Sequence, residues 1–106
     1  MKDFLKEARL AVTVCDRKGD VVYQNDDSVK VNGTAMGRNL QNCHNPASWE
    51  QITEMLRNGS SNAYTIEKRG VRKLIFQTPW FDRGEVNGLL EFSIVLPDDM
   101  PHKVRG

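Results

Sequence analysis

Residues 71–96 read VRKLIFQTPWFDRGEVNGLLEFSIVL, and two runs of alternating character flank the turn Arg83-Gly84-Glu85. In the first run Leu74, Phe76, Thr78 and Trp80 alternate with Lys73, Ile75, Gln77 and Pro79. In the second, Leu90, Phe92, Ile94 and Leu96 alternate with Glu91, Ser93 and Val95. A period of two is that of a strand with one face buried. The short connection makes the two strands antiparallel neighbours. Upstream, NAYTIEK and the turn Arg69-Gly70 add a third strand to the same meander.

Working outward, LAVTVCD is short and β-branched, runs into Asp-Arg-Lys-Gly-Asp, and is followed by DVVYQN; the pair predicts a hairpin around a glycine-containing turn. Between the hairpin and the meander, residues 26–42 are polar, with Gly33 and Gly37 as breakers and only Val29, Val31, Met36 and Leu40 as anchors. Short helical turns and loop are expected there. Pro46-Ala47-Ser48-Trp49-Glu50-Gln51 then opens a better helix, with Ser48 as the expected N-cap and Gln51 completing a capping box. Trp49, Ile52, Met55 and Leu56 share one face of it, and Asn58-Gly59 stops it. At the start of the chain Phe4, Leu5 and Ala8 have helical spacing, which predicts a short amphipathic helix over residues 1–9. The core then runs over 10–96, and 97–106 form a charged tail within one domain of 106 residues.

Fifteen Lys plus Arg balance fourteen Asp plus Glu and the signs are interleaved, so no basic cluster offers contacts to phosphate and nucleic acid is not an expected partner. No apolar run reaches the roughly 20 residues of a membrane helix, and MKDFLKEAR is too charged for a signal peptide. Two cysteines, Cys15 and Cys43, are too few for a disulfide framework or a four-thiolate zinc site, which points to a reducing cytoplasm.

The order of elements, together with particular residues, resembles a PAS domain. The hairpin VCDRKGDVVYQN is similar to that family's opening pattern, with Asp16 ending the first strand, Gly19 in the turn and Asn25 closing the second; MGRNL resembles its approach to the crossover helix and GLLEFSIVL its final strand. A closer resemblance is to prokaryotic PAS-like sensors with a Cys-His-Pro-Pro-like motif ahead of the crossover helix. Here that motif stands as Cys43-His44-Asn45-Pro46, with asparagine in place of the first proline. The resemblance covers about Leu10 to Leu96. It implies an α+β fold: a five-stranded antiparallel sheet in the order 2-1-5-4-3, with helices over one face enclosing a small cavity. It also implies homodimerisation.

On these grounds Tyr64, Ile66, Leu74, Phe76, Trp80, Leu90, Phe92 and Ile94, with Trp49, Ile52 and Leu56 from the crossover helix and His44 at the rim, are expected to line an apolar chamber suited to a flat or aliphatic ligand. The alternative is that they fill the core themselves. The cofactor stays open: the resemblance allows haem through His44, and flavin or an apolar small molecule are also compatible. His44 could equally bond loop carbonyls. Cys43 and His44 are two adjacent donors whose side chains diverge, which argues against a metal site and against a nucleophile with its base, and no other catalytic constellation stands out. Thr13, Ile75, Leu89 and Val95 are expected on the outer face of the sheet, covered by Phe4, Leu5 and Ala8 or by a second subunit. The expectation is a small cytoplasmic sensory module, not an enzyme, that binds a ligand or protein partner and signals to a separate output protein. The alternative is a dimerisation module with a filled core.

Overall fold

The computed structural model describes residues 2–42 and 44–106. Strands β1 (Ala11–Asp16) and β2 (Val21–Gln24) form the expected hairpin. Helix α1 (Asp26–Asn32), a 3-10 turn at Leu40–Asn42 and helix α2 (Pro46–Asn58) make up the crossover. Strands β3 (Asn62–Lys68), β4 (Val71–Asp82) and β5 (Glu85–Leu96) form the meander. All five strands join one antiparallel sheet in the order β2-β1-β5-β4-β3, as the resemblance implied. The first and last strands thus lie side by side, with Val12 opposite Phe92 and Cys15 opposite Leu89.

Local chemistry accounts for the element boundaries. Arg69-Gly70 and Arg83-Gly84 both have positive φ at the two central residues of their turns, the pattern whose twist matches flanking antiparallel strands. Asn25 ends β2 and caps α1: its Oδ1 accepts the N–H groups of Val12 (2.9 Å) and Ser28 (3.0 Å). Its Nδ2 donates to the carbonyls of Leu5 and Leu10, both at 2.8 Å. One buried amide therefore ties the N-terminal segment, β1 and α1 together with its hydrogen-bonding capacity filled. Asp26 and Asp27 occupy the first turn of α1, where the helix dipole favours them.

Two expectations about helix ends change. The cap of α2 is Asn45, not Ser48: Asn45 Oδ1 accepts the Ser48 N–H at 2.9 Å, and Pro46 occupies the first turn, where its missing N–H costs nothing. The residue that departs from the Cys-His-Pro-Pro-like pattern is thus the one that starts the helix. At the N-terminus, Phe4–Glu7 form turns rather than a helix, with single bonds from Lys6 N–H to Asp3 O and from Ala8 N–H to Leu5 O. So short a segment cannot offset helix nucleation by itself, and it is pinned instead through Asn25 and through Tyr23, whose hydroxyl donates to Asp3 Oδ2 at 2.6 Å.

The helices cover one face of the sheet only. The tight core is small, with Cys15, Leu89, Ile52 and Met55 in mutual contact and Leu40, Trp49 and Leu56 packed around them. Among the described residues no helix is long and apolar enough to cross a membrane.

Candidate functional site

The helix-facing side of the sheet is set by the register. Cys15 and Leu89, which touch α2, are paired, so Thr13 and Glu91, two residues along each strand, face the same way. Following the pairs outward gives Gln24 opposite Thr13, Thr13 opposite Glu91, Glu91 opposite Gln77, and Gln77 opposite Asn62. A row of five polar side chains, one from each strand, therefore crosses the whole sheet beneath the helices.

The row is joined by hydrogen bonds on both flanks. Asn62 Nδ2 donates to Gln77 Oε1 at 3.2 Å, and Gln77 Nε2 donates to Glu91 Oε2 at 2.8 Å. On the other flank Ser28 of α1 bridges Gln24 (3.0 Å) and Thr13 (2.6 Å). The break falls between Thr13 and Glu91, and there the space between sheet and crossover opens.

Three adjoining hollows occupy that space, and His44 borders all of them. The smallest, about 30 Å³, lies beside Thr13, Cys15, Ile52, Gln77 and Leu89. One of about 430 Å³ extends toward Ser48, Gln51, Asn62 and Tyr64. One of about 290 Å³ extends the other way, toward Gln24, Asn32, Arg38 and Glu91. His44 Nδ1 lies 3.0 Å from the Leu40 carbonyl. Because that oxygen can only accept, Nδ1 carries a proton, and in the neutral ring Nε2 is then the acceptor.

Burial and neighbouring charge tune the groups around the row. The Cys15 thiol is pushed up to about 11, chiefly by burial, and is a protonated packing group rather than a nucleophile. The Tyr64 phenol is also pushed up, by partial burial first and by the Glu91 charge second.

Placed on this frame, the expected chamber residues divide. His44 and Ile52 border the hollows, Tyr64 lines the larger one, and Trp49 and Leu56 pack at the edge of the core. Ile66 faces the helix side but farther out, in an open groove with Val31 and Lys73. Leu74, Phe76, Trp80, Phe92 and Ile94 have the opposite parity and lie on the outer face. Leu90, of the same parity as Phe92, reaches the small hollow only from between Leu89 and Glu91. Conversely Thr13 and Leu89, expected outside, line the small hollow. Ile75 and Val95 share their parity: Ile75 stands opposite Tyr64 and two residues from Gln77, and Val95 two residues beyond Ser93. Phe4 is exposed and Leu5 and Ala8 lie in the N-terminal turn segment, so among the described residues no amphipathic helix covers the outer face.

The inversion has a physical source. Both faces of β4 and β5 alternate cleanly, and the sequence shows only that there are two of them. The more apolar face was expected inside, whereas the helices cover the more polar one. The signal that could have identified the row was polar: Gln77 and Glu91 stand at matching positions of adjacent strands, where a solvated face would be a waste of a buried amide. Gln77 is in fact 7% exposed.

Most of the aromatic and aliphatic groups expected to sandwich a flat ring lie on the other side of the sheet, and beside His44 stand amides, hydroxyls and a carboxylate together with Leu40, Ile52 and Tyr64. Among the described residues no three His, Cys, Asp or Glu side chains group as a metal site would require. Cys43, the partner in the Cys-His pair, lies outside the described residues.

No family model and no curated protein matches the chain. Solved structures do. It is similar to the C-terminal domain of a Streptococcus mutans protein (TM-score 0.72, 23% identity, 86% of this chain and 78% of that one). It is also similar to the PAS domain of the histidine kinase ThkA (TM-score 0.64, 16% identity, 80% and 97%). A third likeness is to the Vibrio cholerae VqmA dimer, described as a LuxR-type receptor (TM-score 0.68, 19% identity), where it covers 94% of this chain and 52% of that one. With five strands in the order 2-1-5-4-3 and a helical crossover on one face, the chain has a PAS-like fold.

Proposed function

We propose that the chain is a sensory signal-transduction module that binds a small polar molecule between its sheet and crossover and works as a homodimer. The observation that carries the ligand reading is the interrupted polar row, with hollows of about 430 and 290 Å³ on either side of His44. These bracket the lower end of the 300–1,000 Å³ range usual for small-molecule sites, and few polar groups in such sites are idle. The likeness to VqmA, which has been solved bound to DPO, is in keeping with a small-molecule ligand. Binding rather than catalysis suits the site, since the one described thiol is protonated and no nucleophile is paired with a base among the described residues.

The outer face supports the homodimer. Leu74, Leu90, Phe92 and Ile94 are half-buried and Phe76 is exposed, so a contiguous apolar surface stays partly open among the described residues. A second copy would bury it with two-fold symmetry. A ligand that shifts α2 against β4 and β5 would be felt on this face, because the same two strands carry both surfaces.

Native mass spectrometry of the protein purified from cells tests the ligand reading. A bound small molecule, lost in Gln77→Leu while the fold is retained by circular dichroism, is the expected result. No adduct in the wild type, and no thermal shift across a metabolite library, would overturn it and leave a dimerisation module with no ligand.

A further inference from the structure

The 290 Å³ hollow between α1, the crossover loop and the β1–β5 pair has a composition that narrows its ligand. Most of its neutral polar groups are already engaged inside the protein, the Asn32 amide and His44 Nε2 aside. Gln24 donates to Ser28 Oγ and to the Gly33 carbonyl, each at 3.0 Å, and accepts the Ala35 N–H at 2.7 Å. Thr13 is bonded to Ser28, and the His44 N–H is held by Leu40. Two charged groups on the lining are not spent. Glu91 uses Oε2 for Gln77 and leaves Oε1 without a hydrogen bond among the described residues. Arg38 is tied down only through its backbone, whose N–H donates to Ala35 O and whose carbonyl accepts the Val21 N–H; its guanidinium enters no ion pair or side-chain hydrogen bond among the described residues.

An acid and a base that line one hollow without pairing to each other present both signs of charge to whatever enters. Resting on the reading of this space as a ligand site, we propose that the ligand is a small zwitterion, a free amino acid or a related ammonium carboxylate. Glu91 receives its ammonium group and Arg38 its carboxylate. Glu91 is the better-fixed anchor, because Gln77 and, behind it, Asn62 hold its carboxylate in place. The guanidinium supplies the planar donor pair that suits a carboxylate. A molecule with only one charge would satisfy one group and leave the other partly desolvated, which is how such a site discriminates.

The test is a thermal-shift and calorimetric screen of the twenty common amino acids and 4-aminobutyrate. Each hit is compared with its primary amide, in which the main carboxylate is neutralised, and its N-acetyl form, in which the main ammonium is neutralised. The expected result is at least one zwitterion that binds at least tenfold more tightly than both single-charge analogues. Glu91→Gln should then remove the advantage over the N-acetyl form, and Arg38→Gln the advantage over the amide. Both variants should keep the fold, since Gln retains an acceptor for Gln77 and Arg38 is exposed. No binding by any zwitterion, an amide or N-acetyl form as tight as its parent, or indifference to both substitutions overturns the proposal. An uncharged or singly charged molecule found by native mass spectrometry and lost in Gln77→Leu would also overturn it, while leaving the sensory reading intact.

Discussion

The indole of Trp80 on β4 reaches across β5 and donates its Nε1–H to the carbonyl of Cys15 on β1, at 3.0 Å. It can do so because Gly88 lies between them: a Cβ there would stand 1.9 Å from the Cys15 oxygen and 2.4 Å from Trp80 Nε1. Gly88 opposes both Trp80 and Asp16 in the register, so the missing side chain is the passage for the ring. Gly88→Ala is expected to lose about 3 kcal/mol, at the upper end for overpacking because one clash is with backbone. Trp80→Phe should lose about 1–2 kcal/mol by removing this hydrogen bond. Urea denaturation gives both values, and a Gly88→Ala protein as stable as wild type would show that the ring lies elsewhere.

Asn25 binds four backbone groups from three segments. Asn25→Ala is expected to cost about 2–4 kcal/mol, the loss of a helix cap compounded by buried groups left without partners. Hydrogen exchange should show the loss concentrated in β1, α1 and the N-terminal turns, with the β3–β5 meander protected as before. Uniform loss of protection would contradict the local role.

The bond from Tyr23 to Asp3 links pH to the N-terminal segment. Chiefly because of it, the phenol is pushed up to about 12 and the Asp3 carboxyl is held below its ordinary value. A raised phenol pKa means that the bond favours the fold fully below the ordinary value of 10 and that this contribution disappears as the pH rises through 12. On the acid side, the Asp3 contribution is present above its ordinary 3.8 and fades as the pH falls. In an ultraviolet phenolate titration, Asp3→Asn should bring one tyrosine back toward 10. An unchanged titration would refute the contact.

Cys15 should resist alkylation in the native state, because burial keeps its thiol protonated at neutral pH. Peptide mapping after iodoacetamide treatment at pH 8 is expected to show Cys15 modified only once urea is present. Rapid native modification would mean that the space beneath α2 opens freely.

The outer face makes the proposed dimer testable. Phe76→Glu and Phe92→Glu should each shift sedimentation from dimer to monomer by placing a charge in the interface. Phe76 is the cleaner probe, since it is 36% exposed and its change leaves the core untouched. A wild-type protein that sediments as a monomer at every concentration would exclude this interface.

Much of the fold could be read along the chain because its determinants are local. The alternation in residues 71–96, the two Arg-Gly turns and the Asn58-Gly59 stop are statements about neighbours in sequence, and the elements form where those residues place them. The cap of α2 was misassigned by three positions because Asn45 and Ser48 both suit that role, and only the path of the chain into Pro46 separates them.

What the sequence determined by itself, then, was which segments are strands and helices and, through resemblance, their order in the sheet. Which face of that sheet meets the helices was decided only by the tertiary structure. A strand's alternation defines two faces without naming the inner one, and a one-residue change of parity exchanges them. The contacts that settle it join residues far apart in the chain: Cys15 to Leu89 beneath α2, and Gln77 to Glu91 across the meander. The polar row lies beneath the helices and the apolar face of β4 and β5 points outward, the reverse of what the alternation alone suggests.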